Sequence, residues 1–131
     1  MSADYPDDLR YTREHEWARI DGNVAQIGIT QFAVEQLGDV TMVEFPEEGD
    51  AVSKDEVFGT VESVKAVSDL YAPITGKVVR TNTPLADTPE AINEDPYGDG
   101  WLVELEVGDP SELEALMDAA AYEAFIAEEE S

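Results

Sequence analysis

The stretch that most constrains the fold runs from Glu56 to Arg80, where β-branched and aromatic residues come in short runs separated by turn signals. It reads as β-structure throughout. Glu56 to Ser63 and Val67 to Ala72 flank a turn made of Val64, Lys65 and Ala66, and Ile74 to Arg80 follows a second turn at Pro73. The spacing Pro46-x-x-Gly49 recurs 27 residues later as Pro73-x-x-Gly76, each time ahead of a valine-containing strand. That is the pattern of a sheet sandwich with approximate two-fold symmetry. Lys65, at the hairpin tip, is one of only three lysines in the chain. Two readings of it stand side by side: an exposed turn lysine that keeps a hairpin soluble, and an amine that serves as a covalent attachment point for a cofactor.

The flanking sequence extends the β reading. Asp21-Gly22, between Ala18-Arg19-Ile20 and a run from Asn23 to Ile29, predicts a hairpin with a type I′ turn. Thr30 is placed to cap a short helix over Gln31 to Leu37, with Ala33 and Leu37 on one face and Gly38 in the left-handed position after it. Val40 to Phe45 reads as a strand. The proline-rich stretch from Asn82 to Gly100 predicts one short helical turn near Pro89 to Ile92. Trp101, Val103, Leu105 and Val107 fall on one face and Glu104 and Glu106 on the other, as in a half-buried strand. Ser111-Glu112-Leu113-Glu114 is a capping box, so a helical C-terminal segment is expected over about 111–127, carrying Leu113, Leu116, Met117, Tyr122, Phe125 and Ile126. Glu128, Glu129 and Glu130 oppose the helix dipole and are expected to fray. The 131 residues fit a single domain, 1–131.

Charge removes several function classes. With 31 acidic against 7 basic residues the formal net charge is -24, which argues against nucleic-acid partners and against docking on anionic lipid. The acid is spread along the whole chain instead of gathered in a tail. Such a surface suits high salt, where a Debye length of about 3 Å at 1 M relieves self-repulsion, so a halophilic protein is expected. No run of 18 apolar residues exists, and Met1 to Arg10 lacks the character of a secretory or transit peptide, which makes a cytoplasmic protein the expectation.

The catalytic inventory is thin. There is no cysteine, so any dithiol chemistry must be carried by an attached group. His15 is the only histidine, which leaves no multi-histidine metal site in one chain and favours a structural role. The segment from Asp95 to Glu106 imitates a calcium loop, but Tyr97 stands at its third position and a strand follows where an exiting helix is required. No self-contained active site is present, and a non-enzymatic protein is expected. A free lysine amine is protonated at neutral pH, with a pKa near 10.4, so loading Lys65 needs an enzyme and an activated acid. A hairpin serves that need by projecting the side chain clear of the sheet. The resulting long arm can visit several active sites at raised effective concentration.

At this point the motifs converge. Tyr11-Thr12 with His15-Glu16-Trp17, Ile27-Gly28-Ile29-Thr30, Leu37-Gly38-Asp39, Glu62-Ser63-Val64-Lys65-Ala66, Pro73 with Gly76, Ile92-Asn93 with Asp95-Pro96-Tyr97-Gly98, and Gly100-Trp101 occur in this order over nearly the whole chain. In this the chain resembles the H-protein family of the glycine cleavage system. The resemblance implies a mainly β, biotinyl/lipoyl-type hybrid-motif fold: a flattened sandwich of two antiparallel sheets with short peripheral helices. It implies lipoate in amide linkage on Lys65, installed by a lipoate ligase or lipoyltransferase. The arm would take the aminomethyl group of glycine from glycine decarboxylase (P protein) to aminomethyltransferase (T protein), and dihydrolipoyl dehydrogenase (L protein) would reoxidise it. By the same likeness Glu16 and Asp69 help hold the aminomethyl ammonium in a surface cleft. Glu14 departs from the pattern, standing where relatives often carry a small polar residue. Three alternatives remain open at this point: a relay protein that donates lipoyl to other carrier domains, a biotin carrier, and an interaction module in which Lys65 is simply exposed. Val64 and Ala66 stand where a biotinyl lysine usually has methionines.

Overall fold

The structure is a computed structural model and describes residues 5–130. The alternating runs become two antiparallel sheets. β1 (Arg10–Tyr11), β2 (Glu16–Asp21) and β3 (Val24–Ile29) form a meander. It is joined by β9 (Val103–Val107), then β8 (Gly76–Thr81), then β5 (Ala51–Val52) into a six-stranded sheet of order β1-β2-β3-β9-β8-β5. β4 (Val40–Glu44), β6 (Val57–Ser63) and β7 (Val67–Tyr71) make the second sheet, with β6 in the middle. Ile27, Val61, Ile74, Val78, Leu102 and Leu105, all at most 1% exposed, belong to the main core cluster. Burying one such aliphatic side chain contributes about 1.5–3 kcal/mol. The architecture is the mainly β, two-sheet fold with short helices that the sequence led us to expect.

The first hairpin forms one residue out of step with expectation. Asp21 pairs with Val24, so the loop is Gly22-Asn23, and of these two only Gly22 has positive φ (61°). Type I′ requires positive φ at both central residues, whereas glycine at the first of them is the type II′ preference. The two Pro-x-x-Gly segments behave alike. Each carries the chain from the three-stranded to the six-stranded sheet, β4 to β5 and β7 to β8. The strands they lead into then pair with each other, Ala51 opposite Lys77 and Val52 opposite Gly76. β5 itself is too short to show in the sequence.

The helices follow their caps. α1 (Gln31–Leu37) starts where Thr30 Oγ1 accepts from the Ala33 N–H at 3.3 Å and stops at Gly38, φ 76°. Its buried residues are Phe32, Val34 and Leu37, with Ala33 only half-buried. Between β8 and β9 there are two helical turns instead of one, a 3-10 turn over Thr83–Ala86 and α2 (Ala91–Glu94). Pro89 lies between them and has no N–H with which to join them.

The expected C-terminal helix is interrupted. Pro110–Ala115 is a 3-10 helix capped by Asp109, which accepts from the N–H (3.0 Å) and hydroxyl (2.6 Å) of Ser111. Ser111 is therefore engaged with Asp109. Glu112 accepts from the Thr75 N–H (2.6 Å) and hydroxyl (2.9 Å), tying this turn to the β7–β8 connection. Leu116 is extended, and Met117 exchanges backbone hydrogen bonds of 2.8 and 2.9 Å with Tyr11. Only after that does α3 (Ala119–Glu130) begin, so the acidic tail expected to fray is helical as far as Glu130. α3 lays Ala119, Tyr122 and Ile126 on Leu9, Tyr11, Trp17 and Phe32, a second cluster beside the main core. No helix among the described residues is long and apolar enough to cross a membrane.

Candidate functional site

Glu62 pairs with Val67, leaving Ser63, Val64, Lys65 and Ala66 to turn the β6–β7 hairpin. Ser63 holds the turn from inside. Its N–H bonds to the Ala66 carbonyl (2.8 Å), and its hydroxyl oxygen accepts from the N–H groups of Lys65 (3.2 Å) and Ala66 (3.0 Å). A further bond, from the Val64 N–H to the Asp39 carbonyl (3.1 Å), fastens the tip to the chain just past α1. Val64 (68% exposed), Lys65 and Val67 (66%) face solvent. Among the described residues no side chain pairs with the Lys65 amine. The aliphatic stem does have a seat: a Cβ on Gly38 would lie 3.0 Å from Lys65 Cε, so it rests where that glycine has no side chain.

Beside the hairpin lies a cleft of about 270 Å³, bounded by Ala66 of the turn and β7 from Val67 to Leu70, by Ala33, Gln36 and Leu37 of α1, and by Glu14 to Glu16 with Ile29. Glu16 is its buried acid, only 1% exposed. Its two oxygens accept from the Thr12 hydroxyl (3.0 Å) and the Tyr71 N–H (3.1 Å), while its own N–H donates to Thr12 Oγ1 (3.1 Å). Burial disfavours the carboxylate more strongly than these two bonds favour it, with Glu14 and Asp55 adding repulsion, and the acid is pushed up to about 8. Asp69, on β7, is exposed at the rim, as is Glu14. Of the residues singled out in the sequence, Glu16 and Asp69 thus meet at one cleft, at whose edge the lysine hairpin stands. Glu62 does not line it.

His15 proves to be anchored. Its backbone takes positive φ (71°), its carbonyl accepts from the Thr30 N–H (3.0 Å), and its Nδ1 lies 2.8 Å from the Tyr122 hydroxyl. The same hydroxyl is 2.7 Å from Thr30 Oγ1. The calcium-like loop closes on itself, Asp95 accepting from the Asp99 N–H at 3.1 Å. No group of three or more metal-ligating side chains occurs among the described residues. Two contributors escaped the reading of the sequence. Thr12 braces Glu16, and Asn93, 55 residues from Gly38, bonds the backbone on both sides of Asp39. Both stand inside the motifs quoted above, but nothing in one sequence says what either touches.

Fold and site together define a lysine-presenting β sandwich with an acid-lined cleft at the lysine's side. Residues 9–129 match the family described as "Glycine cleavage H-protein". The chain is 63% identical over 125 residues to the "Glycine cleavage system H protein" of Anaeromyxobacter sp. (strain K), covering 95% of this chain and 98% of that one. It is 54% identical to the "Probable glycine cleavage system H protein" of Haloarcula marismortui, covering 93% and 96%. The crystal structure of a glycine cleavage system H protein from Mycobacterium marinum superposes with a TM-score of 0.79 at 44% identity, over 89% of this chain and 94% of that chain. The chain belongs to the glycine cleavage H-protein family.

Proposed function

We propose that this protein is a non-enzymatic lipoyl carrier of glycine cleavage, with lipoate in amide linkage to Lys65. The observation that carries this reading is the juxtaposition of an exposed hairpin lysine with a cleft containing one buried and two rim carboxylates. The residues fit the group. Lys65 Nζ is open to an activated lipoyl acid: the N–C amide bond forms, the bond from the acyl carbon to its leaving group breaks, and the amine proton passes to solvent. Leu37, Ile29 and Leu70 give the cleft apolar wall suited to a hydrocarbon arm, and its acids suit a cationic end. When bound, lipoate supplies the dithiol through which the aminomethyl group of glycine passes from P protein to T protein, with reoxidation by L protein; the chain itself has no cysteine.

The chain's own residues then position and shield. Glu16 and Asp69 hold the ammonium end of the cargo, Glu16 from the buried side and Asp69 from the rim. Because the fold keeps Glu16 partly protonated at neutral pH, an arriving cation stabilises its carboxylate and drives a proton out. Peptide mapping after expression with lipoate and a lipoate ligase tests the attachment: lipoyl mass on Lys65, none on Lys65→Ala. Biotin there, or an unmodified lysine, would overturn the reading. Lipoylated protein should support glycine-dependent carbon dioxide exchange with its decarboxylase, and Glu16→Gln or Asp69→Asn should hasten loss of the aminomethyl group.

A further inference from the structure

Asn93 lies on α2, far in sequence from the hairpin and outside the cleft, yet both ends of its amide are committed to the segment beneath Lys65. Its Nδ2 donates to the Gly38 carbonyl (2.7 Å), and its Oδ1 accepts from the Val40 N–H (2.9 Å). The residue between them, Asp39, offers its carbonyl to the Val64 N–H (3.1 Å). Gly38, in turn, is where the Lys65 stem rests, Cε 3.0 Å and Nζ 3.8 Å from the point a Cβ would occupy. Gly38 adopts φ 76°, ψ -150°, a conformation side chains disfavour, so this short stretch needs outside bonds to hold its shape. An asparagine suits because one bond requires a donor and the other an acceptor.

We infer that Asn93 is a positioning residue for Lys65: by clamping Gly38 and Val40 it presents the Asp39 carbonyl to Val64 and so fixes the direction in which the lysine leaves the hairpin. The inference rests on the reading of Lys65 as the acylated residue and adds what orients it. Acyl transfer needs the amine in line with the activated carbonyl, so disordering the hairpin tip lowers the rate of the chemical step more than it weakens encounter with the ligase.

Asn93→Asp tests this with little change of size, since aspartate keeps the acceptor facing Val40 and loses the donor to Gly38. The matched control is Asn82→Asp. That asparagine is another amide clamp, donating to the carbonyls of Asp99 (2.9 Å) and Trp101 (2.7 Å), and neither of these bonds reaches the hairpin or residues 38–40. In lipoylation by a lipoate ligase with ATP and lipoate, Asn93→Asp should lower kcat at least tenfold with KM changed less than about threefold, and Asn82→Asp should leave both within twofold. On the unmodified proteins, hydrogen exchange at the Val64 amide should accelerate at least tenfold in Asn93→Asp and stay put in Asn82→Asp. Equal effects of the two variants, or a protected Val64 amide in Asn93→Asp, would overturn the inference. The exchange measurement decides it even if the wild-type chain takes no lipoate, a result that would instead remove the proposed function.

Discussion

The aromatic face under α3 and the cleft beside the lysine hairpin both draw on residues 14–16, and the two regions use short strands in opposite ways. Under α3 everything is closed. Tyr11, Trp17 and Tyr122 are fully buried, the Tyr11 and Tyr122 rings stack with centroids 4.8 Å apart, and the Tyr122 hydroxyl meets both His15 and Thr30. At the hairpin the strands end in exposed valines and a lysine, secured by a few backbone bonds. Glu16 stands between the two regions. Its strand neighbour Trp17 belongs to the aromatic cluster, and its carboxylate reaches across to the Tyr71 N–H of the hairpin's second strand. The contrast shows where rigidity is needed. The closed side holds the back wall of the cleft by packing, whereas the open side holds its tip by hydrogen bonds alone.

Substitutions on the two sides should separate accordingly. Tyr122→Ala should cost most, about 3–5 kcal/mol of folding stability in denaturant titration, because it empties the middle of the aromatic cluster and strips a partner from His15 and Thr30. A loss below 1 kcal/mol would mean α3 is only appended. Glu16 comes next, through pH. The unfolded chain ionises it near its ordinary value of 4.5, whereas the fold keeps its proton to about 8. Between those values the native state holds the extra proton, so this contribution is full below about 4.5 and lost as pH rises to about 8, at up to about 1.4 kcal/mol per pH unit. Glu16→Gln should flatten that part of the stability profile; an unchanged slope would place the titration elsewhere.

Smaller effects follow. If the charge of -24 is an adaptation to salt, the melting temperature should rise between dilute buffer and 1 M salt by about 4 °C, the shift that roughly 1 kcal/mol gives a domain of this length. A flat or falling response would detach the acidity from salt. Least of all should come from Lys65→Ala, within about 0.5 kcal/mol, since the side chain is exposed and pairs with nothing described. The variant that removes the proposed attachment amine should therefore barely register in stability, the reverse of Tyr122→Ala.

What the sequence disclosed was what local pattern controls. The hairpin around Lys65, α1 between Thr30 and Gly38, and the alternation of Val103, Leu105 and Val107 all appear where their residues ask for them. The failures share a cause in distant partners. Ser111 has the local character of a cap, but Asp109 and the pairing of Met117 with Tyr11 redirect the chain there. β5 exists only because β8 lies beside it. At the site, the hairpin that presents Lys65 was legible from local pattern. The Thr12 brace and the Asn93 clamp depend on contacts that no spacing along the chain expresses.

The back-to-back Pro-x-x-Gly segments bear on the lysine itself. The 27-residue offset that carries Pro46 to Pro73 and Gly49 to Gly76 also carries Val40, where β4 begins, to Val67, where β7 begins. Applied once more, it carries Gly38 to Lys65. The lysine and the glycine it rests on thus stand at positions related by the same offset, and they meet in space. One of them carries the lysine, and the other has no side chain to stand in the way of its stem. A side chain added at Gly38 would therefore meet the lysine's stem, whereas shortening the lysine only opens the same small volume.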